Sequence, residues 1–224
     1  MELRTKELIN IVNKMNVRFN KYKKFLDILD SVIGDGDHGT NMRKGFCSII
    51  EKIEKPDIET IHDVFTIMGN EMIETTGGTS GTLYGAAFLK IASKFKNKKE
   101  IKINDFQSIL LISINIIRNE SGSKIGDKTM LDTLIPAVEE VNYGIKNKLS
   151  IECILDNAIN AARENAAYTV LIPAKRGITS DLLDKSIGYE DAGAISSLIM
   201  LEAVLDYYNE QKSLQKSLEM IFED

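Results

Sequence analysis

Apolar residues recur at intervals of three and four along almost the whole of this 224-residue chain, and this spacing constrains the fold more than any other feature. Such a repeat places the apolar side chains on one face of an α-helix. Leu83, Ala87, Ile91 and Phe95 form a strict stripe of this kind. Comparable faces run through residues 3–29, 41–53, 58–73, 106–117, 130–145, 151–162 and 195–205. The pattern therefore predicts about eight amphipathic helices around a common core.

One of these segments, residues 106–117, is rich in isoleucine and has the composition of a buried strand as well as that of a helix. Its length favours a helix, and no neighbouring segment shows the pattern of a partner strand. The predicted fold class is all-α. Because no Gly/Ser-rich linker divides the sequence, residues 1–210 are predicted to form one helical domain, with a polar C-terminal helical extension or tail at 211–224.

The junctions between the helical segments alternate between two compositions. Those near residues 55, 98 and 148 are rich in lysine, whereas those at 34–39, 77–81, 122–127 and 177–193 combine glycine with Asp, Ser, Thr, His or Asn. A single glycine at a helix end is normally a cap or a turn, which does not explain the accompanying polar residues. Alternate loops of an antiparallel helical array lie at the same end. The glycine-rich loops are therefore expected to converge on one site.

Composition excludes several classes of function. The formal net charge of -5 and the pI near 5.3 argue against a nucleic-acid-binding surface. The N-terminal residues lack the apolar core of an export signal, and the apolar stretch at 109–117 is too short to span a bilayer. We therefore expect a cytoplasmic protein that binds neither nucleic acid nor a membrane. Cys47 and Cys153 are predicted to be small buried residues in a reducing compartment, with a disulfide left open.

Three carboxylates, those of Asp30, Asp35 and Asp37, lie within eight residues at the end of the first helical segment. Carboxylates this close repel one another, and a bound cation relieves the repulsion. Their hard oxygen ligands suit Mg²⁺ or Ca²⁺, but an EF-hand is excluded because its twelfth position would be Phe46 instead of glutamate. The alternative is an Asp-Gly turn with an Asx cap on the next helix. That alternative suits one aspartate, whereas three favour a magnesium site.

Residues 34–39 also match the pattern G-x-G-x-x-G, but we reject a Rossmann dinucleotide site. That fingerprint requires a preceding strand and a βαβ unit, and a helical segment precedes it here. Residues 77–81 open the next helix with glycine and hydroxyl residues, so backbone N–H groups could approach a phosphate at its positive end. Thr79 and Ser80 add hydroxyl groups, although such residues are also common caps. The sequence contains no P-loop motif.

Further candidate ligand residues lie in the same glycine-rich junctions. His38 and Asn41 follow the aspartate loop and could bond phosphate or ribose oxygens, although a helix-start hydrogen bond explains His38 equally well. Met130 could pack on an adenine ring, whereas a single methionine is more often a core residue. Asp191, at the start of the last helix, has the same small-residue surroundings as the other junctions.

Together, four of these strings resemble the nucleotide-binding L subunit of dihydroxyacetone kinase. They are IGDGDHGTNM at 33–42, GGTSGTLYG at 77–85, GDKTM at 126–130 and SIGYEDAGA at 186–194, in the order found in that family. The resemblance implies an antiparallel barrel of eight helices with nucleotide bound in the loops at one end. It also implies two Mg²⁺ ions held by Asp30, Asp35 and Asp37. The predicted nucleotide-binding residues are His38, Gly39, Thr40, Asn41, Gly78, Thr79, Ser80, Gly122, Met130, Asp191, Ala192 and Gly193.

The resemblance further implies a role in a multi-subunit kinase. In the standalone bacterial form, ADP is a tightly held cofactor that takes a phosphoryl group from a phosphohistidine-carrying phosphotransferase subunit. The group then passes through ADP/ATP to dihydroxyacetone on a separate substrate-binding subunit. A chain of 224 residues has no room for the fused substrate domain of the ATP-using enzymes. No residue is an obvious general base, and the substrate subunit is expected to supply one.

The sequence departs from this family at two positions. Ile178 stands where the family usually has an arginine, and Ala192 stands where it has a proline. Loss of an arginine at a phosphate site removes stabilisation of the charge that develops during transfer. Lys175, Arg176 or Lys185 could replace it. These departures leave two alternatives open: phosphorylation of another small ketose, and a nucleotide-loaded binding module that controls a partner such as a transcriptional regulator without turnover.

Overall fold

The computed structural model describes residues 2–32, 34–56, 58–176 and 185–222, without the side chains of 221 and 222. The described residues form eight α-helices and a 3₁₀ turn, η1, at Thr169–Leu171. The helices are α1 Thr5–Ser31, α2 His38–Ile53, α3 Ile61–Thr75, α4 Gly78–Phe95, α5 Ile103–Ser121, α6 Leu131–Lys146, α7 Ile151–Tyr168 and α8 Ala192–Phe222. In this part of the chain, β pairing is limited to one antiparallel bridge between Leu3 and Ile101. The all-α prediction is confirmed.

The helices form a closed antiparallel ring. Each helix packs against the next one in the sequence, and α8 packs against α1. The isoleucine-rich segment, which also suited a strand, forms α5 inside this ring. The ring places the ends of α1, α3, α5 and α7 beside the starts of α2, α4, α6 and α8. The lysine-rich junctions lie at the opposite end.

The predicted apolar faces meet in one continuous core that includes residues from every helix. Phe19 of α1 and Phe46 of α2 stack with their ring centroids 4.6 Å apart. Phe65 of α3 contacts both Phe88 and Phe95 of α4, at centroid distances of 6.3 and 6.2 Å. Burial of these large side chains fixes how neighbouring helices are rotated about their axes.

Local hydrogen bonds move some helix ends from their predicted positions. α3 begins at Ile61, not 58, because the Thr60 hydroxyl accepts a hydrogen bond from the Asp63 N–H at 3.1 Å. α8 continues as one helix from Ala192 to Phe222, so the polar C-terminal residues extend it. The domain boundary at 210 stays a prediction.

The two cysteines are unpaired. Cys47 is half-buried, and Cys153 is exposed on α7. The prediction that both are buried is wrong for Cys153, because its position falls outside the apolar stripe of its helix, and Cys47 is buried only in part. None of the described helices is both long and apolar enough to cross a bilayer.

Candidate nucleotide and metal site

The four glycine-rich loops converge on one cleft at the end of the barrel. The cleft has a volume of about 200 Å³ and is partly open to solvent. Of the predicted site residues, it is lined by Asp30, Asp35, Asp37, His38, Asn41, Gly78, Thr79, Ser80, Met130, Asp191, Ala192 and Gly193. One end of a helical barrel thus brings together residues more than 160 positions apart.

The three aspartates of the first loop form a cluster at the edge of this cleft. Asp30, Asp35 and Asp37 each offer a carboxylate oxygen, and these oxygens lie within 4.8 Å of one another. Two unit charges at that separation repel by about 1 kcal/mol even at the dielectric constant of water. Burial raises the pKa of the Asp30 carboxyl, and the neighbouring Asp35 raises it further. The donor set, oxygen atoms from three carboxylates around a compact space, fits magnesium.

Capping explains only one of these carboxylates. Asp30 Oδ2 accepts hydrogen bonds from the backbone N–H groups of Gly36, Asp37 and His38, at 2.9, 3.0 and 3.2 Å. It therefore caps α2 from the preceding helix. Asp37 occupies the N-cap position itself but makes no side-chain cap bond. The exposed Asp35 and Asp37 carboxylates are thus left for a cation.

The helix starts at this end differ in how their N–H groups are satisfied. N–H groups at the starts of α2 and α8 donate to the carboxylates of Asp30 and Asp191, and the first N–H of α6, that of Leu131, donates to the Thr129 hydroxyl at 3.2 Å. Among the described residues, α4 is the helix at this end whose first N–H groups meet no side-chain acceptor, since its N-cap is Gly77, which has no side chain. The start of α4 is therefore suited to hold an anion through backbone N–H groups and the helix dipole. Gly78, the first residue of α4, has φ +72°, a conformation that favours glycine.

The remaining wall of the cleft is largely apolar. Leu83 of α4, Ile117 of α5, Met130 and Ala192 are all buried and line it. A flat aromatic base suits such a wall, with its attached phosphates directed towards the start of α4 and the aspartates. The cleft thus has distinct polar and apolar parts in the arrangement that a nucleotide requires.

His38 lies at the base of the cleft with an unsatisfied ring nitrogen. Its side chain is 8% exposed, and Nε2 has no hydrogen-bond partner. Among the buried side-chain nitrogen and oxygen atoms of the described residues, only Thr66 Oγ1 also lacks a hydrogen-bond partner. Burial lowers the pKa of His38 to about 4, so the ring is neutral at pH 7. Because His38 lines the cleft, this unpaired nitrogen is available to a bound ligand.

The depressed pKa of His38 predicts how stability depends on pH. The unfolded state binds the proton near pH 6.5 and the folded state near pH 4, so the free energy of unfolding falls as pH falls through this window. Between pH 7 and 4.5, we expect a loss on the order of 2 kcal/mol that His38→Gln does not show. Denaturant titrations of the metal- and nucleotide-free proteins measure it. Equal losses in both proteins would contradict the prediction.

A second buried carboxyl, that of Asp191, caps α8 on the other side of the cleft. Its Oδ1 accepts a hydrogen bond from the Ala194 N–H at 2.6 Å. Burial raises the pKa of Asp191 to about 7; Asp132 and Asp30 add to this rise, whereas the Ala194 N–H and the Lys128 ammonium oppose it. Burial and the neighbouring carboxylates thus disfavour ionisation of Asp191, and a bound cation would favour it.

Three predicted ligand residues do not line the cleft. Gly39 allows α2 to approach α1, since a Cβ there would lie 2.1 Å from the Lys23 carbonyl oxygen. Thr40 is bonded through its N–H and hydroxyl to Asp27, at 2.7 and 2.9 Å. Gly122 ends α5 in the left-handed conformation, with φ +65°. These contacts explain all three residues structurally, and their role in nucleotide binding stays a prediction.

The cleft is also lined by residues that were not predicted to be metal or nucleotide ligands. These are Leu29, Gly34, Thr76, Gly77, Leu83, Ile117, Ser121, Ser123, Lys128, Thr129 and Arg176. Arg176, one of the three suggested replacements for the missing arginine, places its guanidinium 3.5 Å from the Asp127 carboxylate, measured from Nε. Ile178 lies outside the described residues. Lys128 and Thr129 belong to the GDKTM string, and membership of that string is the sequence feature that could have indicated their position in the cleft.

The chain is similar in sequence to a known domain family and to kinase subunits. Residues 32–206 match the model of the DAK2 domain. The chain is 28% identical over 202 residues to the ADP-binding subunit of the PEP-dependent dihydroxyacetone kinase of Escherichia coli (strain K12), covering 90% of this chain and 96% of that one. It is 33% identical over 194 residues to the ADP-binding subunit of PEP-dependent dihydroxyacetone kinase 1 of Listeria innocua, covering 87% and 92% of the two chains.

The fold has a solved counterpart. The crystal structure of the dihydroxyacetone kinase from C. freundii in complex with AMP-PNP and Mg²⁺ superposes with a TM-score of 0.67 at 22% identity. The match covers 88% of this chain and 33% of that one, so this chain spans about a third of the kinase. At this identity the likeness establishes the shared helical fold.

Proposed function

Since this chain belongs to the DAK2 domain family, we propose that it is the ADP-binding phosphoryl-transfer subunit of a multi-subunit dihydroxyacetone kinase. The observation that carries the proposal is the cleft in which three clustered carboxylates adjoin the uncapped start of α4. The two relatives named above, both ADP-binding subunits, are matched over nearly their full lengths. A cytoplasmic location stays a prediction from the sequence.

The residues of the cleft divide the binding of a nucleotide among them. Asp30, Asp35 and Asp37 would hold magnesium, and the start of α4 would bind the terminal phosphate through its N–H groups. Met130, Leu83 and Ile117 offer the apolar wall for adenine. His38 is neutral at pH 7, so it would contribute a hydrogen bond, not a charge, to the ligand.

When bound, ADP would supply the terminal phosphate that carries a phosphoryl group between donor and sugar hydroxyl, and Mg²⁺ held by the aspartates would neutralise the charge on the phosphates. The contribution of this chain is positioning and electrostatic stabilisation. We assign two Mg²⁺ ions to the three carboxylates on the strength of the resemblance. Arg176 is the arginine that lines the described part of the cleft. We propose that it stabilises the charge that develops during transfer, in place of the arginine expected at position 178.

The donor and acceptor would come from partner chains. We propose a phosphohistidine-carrying phosphotransferase subunit as donor and a dihydroxyacetone-binding subunit as acceptor. The names of the relatives in Escherichia coli and Listeria innocua describe PEP-dependent kinases with separate ADP-binding subunits, which supports this arrangement. Those names refer to no transcriptional regulator, and that partner stays an expectation from the sequence.

Release of bound nucleotide tests the proposal directly. Protein purified with magnesium throughout is denatured, and the supernatant is analysed by chromatography. We expect close to one ADP or ATP per chain, because the site combines metal ligands with a phosphate-binding helix start. The loaded protein should then form labelled sugar phosphate when mixed with a phosphohistidine donor and the substrate subunit. Absence of any nucleotide, also after incubation with Mg²⁺ and ADP, would contradict the proposal.

The identity of the acceptor is tested in the same assay. Dihydroxyacetone and erythrulose, a longer small ketose, are supplied in parallel with the corresponding substrate subunits. Nucleotide retention without transfer to either sugar would support the binding-module alternative instead.

A further inference from the structure

Lys128 lines the cleft but is almost completely buried, with 2% of its surface exposed. Its ammonium group is hydrogen-bonded within the protein. Nζ donates hydrogen bonds to the carbonyl oxygens of Ser186, Tyr189 and Ile172, at 2.5, 2.7 and 3.2 Å. An ammonium group has three N–H donors. All of them are therefore directed at backbone carbonyl groups.

The backbone of Lys128 is also in an uncommon conformation. Its φ is +61°, in the left-handed region that a residue with a side chain enters only at a cost. The turn is held by Asp132, which accepts hydrogen bonds from the N–H groups of Gly126 and Thr129 at 2.6 and 2.8 Å. Burial lowers the pKa of Lys128, and the nearby Asp191 raises it. Burial of a charged group and a left-handed backbone both cost free energy, so the hydrogen bonds of the ammonium group must offset these costs.

The three carbonyl groups belong to separate stretches of the chain. Ile172 directly follows η1, whereas Ser186 and Tyr189 lie in the segment just before α8. Residues 173–185 separate the two stretches in the sequence. Two further bonds join the same stretches: the Gly188 N–H donates to the Val170 carbonyl at 2.8 Å, and the Ala174 N–H donates to Ser186 Oγ at 2.8 Å. Lys128 thus connects both stretches to the turn that begins α6.

This connection sets the relative position of two walls of the cleft. Met130 follows Lys128 by two residues, and Asp191 follows the bonded Tyr189 by two. The two walls lie close together, since a Cβ added at Gly193 would lie 3.5 Å from Met130 Cε. Tyr84 supports the start of α8 from behind through hydrogen bonds of 2.9 and 2.8 Å with the Ser196 and Ser197 hydroxyls.

We propose that Lys128 is a positioning residue for nucleotide binding, which places Met130 and the start of α8 at the correct separation for adenine without contacting phosphate. The proposal rests on the proposed nucleotide function. The proposal makes a specific prediction about affinity. Loss of a lysine that bound the β-phosphate would weaken ADP more than AMP, whereas loss of a lysine that positions the adenine walls weakens both equally.

The test compares Lys128→Met with the matched variant Lys124→Met. Lys124 is exposed in the same loop, and its hydrogen bonds are made by its backbone: its N–H donates to the Asp127 carboxylate at 3.1 Å, and its carbonyl accepts from the Asp127 N–H at 3.2 Å. Calorimetry in the presence of Mg²⁺ measures Kd for ADP and for AMP. We expect Lys128→Met to weaken both by the same factor, at least about 10-fold or about 1.4 kcal/mol, and Lys124→Met to change neither. Unchanged affinity for both ligands, or a loss confined to ADP, overturns the proposal.

Hydrogen exchange separates the failure of this proposal from that of the proposed function. In nucleotide-free Lys128→Met, the amides of Ala174, Gly188 and Asp191 should exchange faster, while those of α3 keep wild-type rates. Exchange at wild-type rates at all three amides would overturn the positioning role. A wild-type protein that binds neither ADP nor AMP would refute the nucleotide function, and the exchange experiment would still report on Lys128.

A measurement on the wild-type protein covers the case in which Lys128→Met does not fold. The ¹H–¹⁵N signal of the Lys128 ammonium group should be observable by nuclear magnetic resonance, because its protons are buried and bonded. Its shift on binding ADP should equal its shift on binding AMP. A larger shift with ADP would indicate contact with the β-phosphate and would overturn the proposal.

Discussion

Replacing Asp35 or Asp37 by asparagine is expected to abolish Mg²⁺-dependent nucleotide retention while leaving the metal-free protein at least as stable as the wild type. Each substitution removes a charged ligand from the cluster within 4.8 Å. It also relieves repulsion between carboxylates that make no cap bond in the described structure. We expect the Kd for ADP with Mg²⁺ to rise at least about 100-fold, or about 3 kcal/mol. Calorimetry gives the Kd, and denaturant titration gives the free energy of unfolding.

A matched control for these variants is Glu120→Gln. Glu120 is an exposed acid in the last turn of α5, at the same end of the barrel but outside the cleft. It should retain nucleotide at the wild-type level. Asp30→Asn is a different case, since Asp30 also caps α2, and it should lose both retention and stability. Wild-type retention in Asp35→Asn and Asp37→Asn would mean that these carboxylates are not metal ligands.

Ser80→Asp is expected to have opposite effects on stability and on nucleotide binding. Position 80 lies in the first turn of α4, where a negative side chain interacts favourably with the helix dipole and should stabilise the free protein by about 0.5 kcal/mol. The same charge would occupy the place proposed for a phosphate. Binding of ADP should therefore weaken by at least about 100-fold. Thermal unfolding with and without ADP and Mg²⁺ measures both effects.

Ser80→Asn is the control of equal size without the charge. It should bind ADP within about tenfold of the wild type, since it can lose at most one hydroxyl hydrogen bond of about 1 kcal/mol. If Ser80→Asp and Ser80→Asn bind ADP equally well, the phosphate does not lie at the start of α4. The polar part of the site would then have to be assigned to another helix start.

The two sets of variants address different halves of one electrostatic arrangement. Two helix starts at this end, those of α2 and α8, are capped by aspartate side chains, and the start of α4 has only glycine before it. An anion is thus favoured beside α4 and a cation beside Asp35 and Asp37. A phosphate bridged to magnesium satisfies both requirements at once, and neither ion alone does.

Predictions from the sequence succeeded where a local pattern has one physical explanation. The three- and four-residue apolar spacing gave all eight helices, including α5, whose isoleucine content also suited a strand. The glycine-rich junctions were predicted to meet because alternate loops of an antiparallel array share an end. Cys153 was predicted wrongly as buried, since residue type alone does not say on which face of α7 a side chain lies.

The site was harder to predict because its contacts join distant residues. Gly39, Thr40 and Gly122 were predicted to bind nucleotide, yet they do not line the cleft, and local packing, hydrogen bonding or helix termination accounts for each of them. Conversely, Lys128 lies in a recognised string without an assigned role, and its three partners are carbonyl groups 44 to 61 residues away. Backbone carbonyl groups have no sequence signal, so no motif could have indicated this contact.

The sequence by itself determined the helices, the end of the barrel where the ligand residues gather, and the chemistry of the Asp30, Asp35 and Asp37 cluster. These depend on local spacing and on residue type. Tertiary structure alone decided that Asp30 caps α2, that the start of α4 is left for an anion and that Lys128 joins the walls of the cleft. Those outcomes depend on which groups long-range packing brings within hydrogen-bonding distance, and spacing along the chain does not encode that distance.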